Sequence, residues 1–235
     1  MSHRQSENEA SFRRLEKIGE AVDYAGRSFE QFDLRPFLEV TLGRMTFAAT
    51  HPRAFEYGTG TGPGACFLAE RGFVVDAIDI SPTAIALARR FAAERGLAIS
   101  FAVGDIAQLT MPAGAVYDLV VDNYCLQHLV GDAERRRALA TVRSLLAPHG
   151  YFVVGTVLHR ADRDFGTDRF DPSTGIVYRR IEGDPGPDAV RFGSEWRVPW
   201  RRIVLSPGAL ADELRRAGLR VIHQDGARCL CVAAD

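Results

Sequence analysis

Residues 55–72, FEYGTGTGPGACFLAERG, place Gly58, Gly60, Gly62 and Gly64 within seven positions, with a carboxylate, Glu56, just before them. A glycine-rich turn between a strand and a helix removes the Cβ atoms that would hold a ligand away from the backbone. By spacing alone the ligand is a dinucleotide or another adenosyl cofactor, because Gly60-x-Gly62-x-x-Ala65 satisfies the relaxed dinucleotide pattern. Glu56 separates the two: it attracts a positive group such as an α-ammonium and repels a pyrophosphate. Asp79 closes the next apolar run, where an acid accepts both hydroxyls of a ribose. Asp105, in VGDI (103–106), stands where it accepts from an adenine amino group, and Ile80 and Ile106 sandwich the ring.

The residues for a second reactant follow the later apolar runs. DNYCLQHL (122–129) offers Asp122, Asn123, Tyr124, Gln127 and His128. His128 is the first candidate for a general base, since an imidazole titrates near neutrality; its alternative role is to pack under the cofactor. His159 is the second candidate, near Asp162 and Asp164. Cys66 and Cys125 stand alone, and Cys229 and Cys231 alternate as one face of a strand. With no Cys-x-x-Cys, structural zinc is not expected; and since VVGTVLH carries no Asp-Asn pair to join Asp122, no metal is expected. Lys17 is the only lysine among 29 basic residues. That excludes the phosphate-binding Gly-Lys-Ser/Thr loop and the Tyr-x-x-x-Lys pair of short-chain dehydrogenases, and it disfavours a pyridoxal Schiff base.

These side chains need a scaffold, and the hydrophobic pattern supplies one. RAFEY, FVVDAIDI, LAISFAV, VYDLVVDN and GYFVVGTVLH read as strands, alternating with helical stretches after the glycines, over SPTAIALARRFAAERG and over DAERRRALATVRSLLAPHG. Ser81 and Asp132 are the expected helix caps, with Pro82 at a first helical position and Gly96 as a stop. Strands apolar on both faces imply a buried parallel sheet flanked by helices. Residues 1–50 read as a helical lid, 51–158 as the cofactor-binding core, 159–204 as an inserted antiparallel cap and 205–235 as the completion of the core sheet.

In order, these pieces resemble the class I S-adenosylmethionine-dependent methyltransferases over about residues 53–158, and more weakly over 205–235. FEYGTGTGPG is similar to the family's acidic-x-Gly-x-Gly-x-Gly loop, VDAIDIS to its ribose-binding strand end and VGDI to its adenine step. YDLVVDNYCLQHL resembles the fourth strand, and LLAPHGYFVV the Leu-x-Pro-Gly-Gly approach to the fifth, with His149 in place of a glycine. The resemblance implies an α/β, Rossmann-like fold with seven strands, mostly parallel, and flanking helices, with an N-terminal helical lid and an antiparallel cap after the fifth strand. It also implies S-adenosylmethionine as cofactor and S-adenosylhomocysteine as product. Glu56, Gly58, Gly60, Gly62, Asp79, Ile80, Asp105, Ile106 and Asn123 are then the expected cofactor contacts, and Tyr24 and Arg27 reach the cofactor's carboxylate end.

The expected reaction is methyl transfer to O or N of a small-molecule, secondary metabolite. Alternatives are a methyltransferase-fold cyclase or isomerase, or an NAD-dependent oxidoreductase. The formal net charge of −1 argues against a nucleic acid partner. The prolines of the Asp/Asn-Pro-Pro-Tyr/Phe motif of adenine methyltransferases are missing after Asn123. No apolar run is long enough to span a membrane, and the polar start MSHRQSENEASFRR leads to a cytoplasmic expectation. Phe165, Phe170, Tyr178, Phe192, Trp196 and Trp200 alternate with arginines in the cap. They roof a pocket for a planar or anionic molecule, or form a second small core or a homodimer contact.

Overall fold

The computed structural model describes residues 3–23, 25–110, 114, 116–183 and 186–234. The chain opens with helix α1 (His3–Ile18) and α2 (Arg35–Leu42), then enters the alternation β1 (Arg53–Tyr57), α3 (Pro63–Ala69), β2 (Val74–Asp79), α4 (Pro82–Glu94), β3 (Ser100–Val103). It continues through β4 (Tyr117–Asn123), α5 (Asp132–Leu145) and β5 (Leu146–Gly155). After an excursion that carries β6 (Arg169–Phe170), β7 (Ile176–Arg180), β8 (Val190–Phe192) and β9 (Glu195–Arg202), α6 (Pro207–Arg216) leads into β10 (Leu219–Asp225) and β11 (Arg228–Ala233).

The main sheet has seven strands in the order β10-β11-β5-β4-β1-β2-β3. Strands β5, β4, β1, β2 and β3 pair in parallel, and β11, which pairs antiparallel with both β5 and β10, is the one strand that runs against the others. This is the expected Rossmann-like sheet. From β1 the chain winds outward to β3, then returns to the other side of β1 as β4. Such a reversal leaves a crevice at the carboxyl ends of β1 and β4, where open α/β sheets take their ligands. Phe55, Val120, Val121, Phe152, Val153 and Val154 are buried, as strands covered on both faces require.

Local chemistry sets most boundaries. Ser81 caps α4 by accepting from Ala84 N at 3.0 Å, and Ser206 caps α6 through Ala209 N at 3.1 Å; each precedes a proline in the first turn. Asp132 is not the cap expected: Gly131 takes that place, and Asp132 is the first helical residue and pairs with Arg202. The fifth strand ends at Gly155 rather than running on to His159, because the chain turns away there and Leu158 bridges to Val204. His149, where the resemblance has glycine, still adopts φ +113°.

The lid and the cap flank the crevice. Phe12 and Leu15 bury one face of α1, and Glu9 accepts hydrogen bonds from Ser81 Oγ and Thr83 Oγ1 at the start of α4. Thr61 Oγ1 donates to Val22 O at 2.7 Å, tying the lid to the glycine loop. The cap is a separate antiparallel sheet, β6-β7-β9-β8. Pro199 in β9 faces Tyr178 at a register shift, a place where a ladder loses nothing to a residue with no N–H. Arg179 of β7 reaches Glu7 of α1 at 3.6 Å, so the cap touches the lid. Among the described residues no helix is long and apolar enough to cross a membrane.

Candidate active site

A cavity of about 410 Å³ lies between the lid, the carboxyl ends of the strands and the cap, a size usual for small-molecule sites. One wall is the glycine loop. Gly58 sits at φ +63°, and a Cβ there would stand 2.4 Å from Cys125 Cβ. Only glycine lets the loop after β1 lie this close to the turn after β4. Gly64 is excluded from carrying a side chain for another reason: its Cβ would fall 2.0 Å from Glu56 Oε1. The same wall presents Gly60, Thr59 and Thr61.

Asp79, at the end of β2, is 7% exposed and faces the cavity. Its Oδ2 accepts from Gly60 N and its Oδ1 from Ser81 N, both at 2.9 Å. Burial raises its pKa to about 6 despite these donors. Each oxygen keeps a further lone pair for a ligand. Ile80, Asp105, Ile106 and Asn123 line the cavity beside it. Asp105 accepts from Ala107 N and from Gln108 Nε2, both at 2.9 Å.

Two expected cofactor contacts are not on the wall. Glu56 is fully buried beneath the loop, accepting from Thr59 Oγ1, with no hydrogen-bond partner for Oε1 among the described residues. Loss of hydration pushes its pKa to about 8. It braces the turn from below. Gly62 is the left-handed N-cap residue of α3, and a Cβ there would press on Ala88 at 3.1 Å, so its role is helix packing. The charged groups that do face the cavity at this end come from the lid. Arg27 Nε donates to Asp23 Oδ2 at 2.9 Å and Nη1 to Asp33 Oδ1 at 2.6 Å. The bonds to Asp33 and Asp23 raise the guanidinium pKa further. Tyr24 lies outside the described residues.

The opposite wall is the turn after β4. Asp122 is buried, accepting from Tyr57 Oη at 2.7 Å, Cys125 N at 2.6 Å and Leu126 N at 3.0 Å. Burial lifts its pKa to about 7. It shapes the turn and does not line the cavity. Tyr124, at φ +63°, and Cys125, Gln127 and His128 do line it. A non-glycine residue in that conformation is strain of the kind found at ligand sites. Gln127 Nε2 lies 3.3 Å from His128 Nε2, and Gln127 Oε1 is buried without a partner among the described residues. His128 packs edge-on against the buried Trp200 at 5.9 Å between ring centres.

His159 does not reach the cavity. Its ring stacks on Phe170 at 4.8 Å, and Phe170 stacks in turn on Phe165, so it belongs to the cap's aromatic packing. Asp162 pairs with Arg160 on the surface, and Asp164 caps the turn at Gly166. The residues that sequence reasoning did not single out are Asn8, Phe12, Asp23 and Asp33 of the lid and Arg163 and Arg201 of the cap, all on the cavity wall. For Arg201 a signal existed: alternation along β9 sends Arg201 to the cavity and Arg202 away to Asp132. Among the described residues no three His, Cys, Asp or Glu side chains are grouped to hold a metal ion.

Residues 54–150 match the family model described as methyltransferase domain. A 2-heptyl-1-hydroxyquinolin-4(1H)-one methyltransferase of Mycobacteroides abscessus is 29% identical over 138 residues, covering 56% of this chain and 60% of that protein. A demethylmenaquinone methyltransferase of Thermus thermophilus is 36% identical over 104 residues, covering 43% of this chain and 46% of that protein. The matched stretch thus spans about half the length of these relatives. Among solved structures, the 1,6-didemethyltoxoflavin-N1-methyltransferase of Burkholderia thailandensis, with bound 1,6-didemethyltoxoflavin and S-adenosylhomocysteine, shares the fold with a TM-score of 0.64. It is 17% identical and the match covers 98% of this chain and 87% of that one.

Proposed function

We propose that the chain is a class I S-adenosylmethionine-dependent methyltransferase, a reading that its methyltransferase-domain match over residues 54–150 supports, and that it methylates an oxygen or nitrogen of a planar small molecule bearing an acidic group. The cofactor fits the residues present. Asp79 keeps acceptor capacity for the ribose hydroxyls, Ile80 and Ile106 offer apolar surface to the adenine and Asp105 stands beside them. The Asp23–Arg27–Asp33 group complements a zwitterionic amino acid end, carboxylate to guanidinium and ammonium to acid. Bound there, S-adenosylmethionine supplies a methyl group made electrophilic by the adjacent sulfonium.

The chain's own residues then have three tasks. Gly58, Gly60 and the lid hold the donor end and keep water out. Gln127 Oε1, buried and unpartnered, accepts from an N–H or O–H of the acceptor. His128 takes the acceptor's proton at Nε2, since Nδ1 is sealed from solvent. Arg163 and Arg201, on the cap side of the cavity, draw an anionic oxygen toward that corner. The observation that carries the reading is a cavity shared by Asp79 and the glycine loop on one wall and by Gln127, His128 and two arginines on the other.

The test has two stages. Calorimetry should detect S-adenosylhomocysteine binding; no binding overturns the cofactor assignment. Transfer of a labelled methyl group should then be seen to at least one member of a panel of hydroxyquinolones and reduced naphthoquinones, chosen because the relatives' names point to planar ring acceptors. Binding without transfer to any member would reject the acceptor class.

A further inference from the structure

We propose that Arg135, paired with Glu213, is a positioning residue for the turn that carries Gln127 and His128. Arg135 lies on α5 outside the cavity, and its side chain is 1% exposed. The other buried side chains of that helix, Ala138, Leu139, Val142 and Leu145, are apolar. A charge at such a place persists only if its donors are matched, and here they are. Nη1 donates to Leu126 O at 2.7 Å and to Leu129 O at 3.1 Å. Nε and Nη2 donate in parallel to Glu213 Oε1 and Oε2 of α6, at 2.6 and 2.7 Å.

The two carbonyls belong to the short helical turn Leu126–His128 and the residue that closes it. One turn has too few internal bonds to hold its own shape. At its N–H end Asp122 accepts from Cys125 N and Leu126 N. At its C=O end the Arg135 fork does the complementary work. The turn is thus held by an acid at one end and a base at the other, and Gln127 and His128 project between those two anchors. Glu213 fixes the guanidinium plane, so α6, which contributes nothing to the cavity wall among the described residues, sets where the imidazole stands. A hydrophobic residue would fill the same space between helices and leave the carbonyls unaimed.

This inference rests on the reading of Gln127 and His128 as acceptor-facing, and its test separates the two. The full chain loaded with S-adenosylhomocysteine is compared with Arg135→Lys, which keeps the charge but loses the fork, and with Glu213→Gln. Amide exchange at 126–129 should accelerate at least tenfold in both variants, and the NMR titration of the His128 ring should shift. Exchange in β4 and α5, and the S-adenosylhomocysteine Kd, should stay within twofold. With 2-heptyl-1-hydroxyquinolin-4(1H)-one as acceptor, kcat should fall at least tenfold, and Arg135→Lys added to His128→Ala should slow the enzyme little further, because both act through one group. Unchanged exchange at 126–129, or a lower Tm with an unmoved His128 titration, overturns the proposal. If Arg135→Lys does not fold, the same measurements on Glu213→Gln uphold or overturn it. If that acceptor is not turned over, exchange and titration still decide the positioning role. If it is turned over and His128→Ala is as fast as the native chain, the reading of His128 fails whatever Arg135 does.

Discussion

Replacing Asp79 with Asn separates the residue's contribution to cofactor binding from its effect on the fold. In the folded chain burial raises the Asp79 pKa from 3.8 to about 6. The folded state therefore binds the proton more tightly than the unfolded one, and stability falls as pH rises from about 4 through about 6. Two pKa units at 1.36 kcal/mol each put the cost of holding the ionised carboxylate above that window at about 3 kcal/mol. Asparagine removes this cost and forfeits one of the two bonds to Gly60 N and Ser81 N, about 1 kcal/mol. The cofactor-free variant should thus melt no lower than the native chain at pH 8. Binding should suffer instead: losing the charged acceptor for two hydroxyls should weaken S-adenosylhomocysteine by about 2–4 kcal/mol, or roughly thirty- to several-hundredfold. In the native chain the same affinity should weaken about tenfold between pH 7 and pH 5, as the carboxylate protonates below 6. Calorimetry and thermal melts across pH 5–8 read both quantities. An unchanged Kd in Asp79→Asn, or a steep loss of Tm with binding intact, would refute the ribose assignment and leave Asp79 as a loop brace.

Other expectations follow from the same geometry. Gly58→Ala should destabilise the chain by about 2 kcal/mol or more and abolish cofactor binding, since its Cβ meets Cys125 at 2.4 Å; Gly60→Ala, whose Cβ has only ordinary contact with Phe12 at 3.6 Å, should cost about 1 kcal/mol for its positive φ, and denaturant melts compare them. Trp200→Ala, which removes the ring packed against His128, should lower kcat at unchanged cofactor Kd, whereas Trp196→Ala, at an exposed position, should leave turnover unchanged; equal effects would separate the acceptor from this corner of the cavity. Glu56, raised from 4.5 to about 8, makes stability decline as pH rises between those values, and Glu56→Gln should flatten that decline in pH-dependent melts. His128→Ala should lower kcat about a hundredfold at unchanged cofactor Kd, and a near-normal rate would remove it as the base.

The sheet was legible because its signals are local and periodic. Apolar runs, Ser-Pro helix starts and glycine stops mark β1 through β5 within a few residues, while the strand order is read from the structure. What sequence reasoning overran were the ends. The second lid helix stops at Leu42, before Gly43, and β5 stops at Gly155, where the chain turns toward Val204 before the apolar pattern ends. Asp132 carries a cap residue's side chain but spends it on Arg202, seventy positions away, a contact no local rule contains.

The two walls of the cavity were not equally readable, and the reason is physical. The wall that carries Asp79, Asp105 and Asn123 is made where strands end, so position along the chain indicates position in space, and these three could be placed on the cavity from their strands alone. Glu56 stands before the glycines, but the turn folds over it, and at that end of the cavity the lid presents Asp23, Arg27 and Asp33. The opposite wall is made of turns and a separate sheet, whose packing depends on pairs far apart in sequence. His128 and Trp200 meet across 72 positions, and Arg135 and Glu213 across 78. His159 has the same residue type and a similar place after a strand as His128, yet it stacks into the cap because β5 ends early. A histidine's chemistry in such a fold is thus decided by what anchors its turn. For His128 those anchors are Asp122 and Arg135, two residues whose own charges never face the cavity.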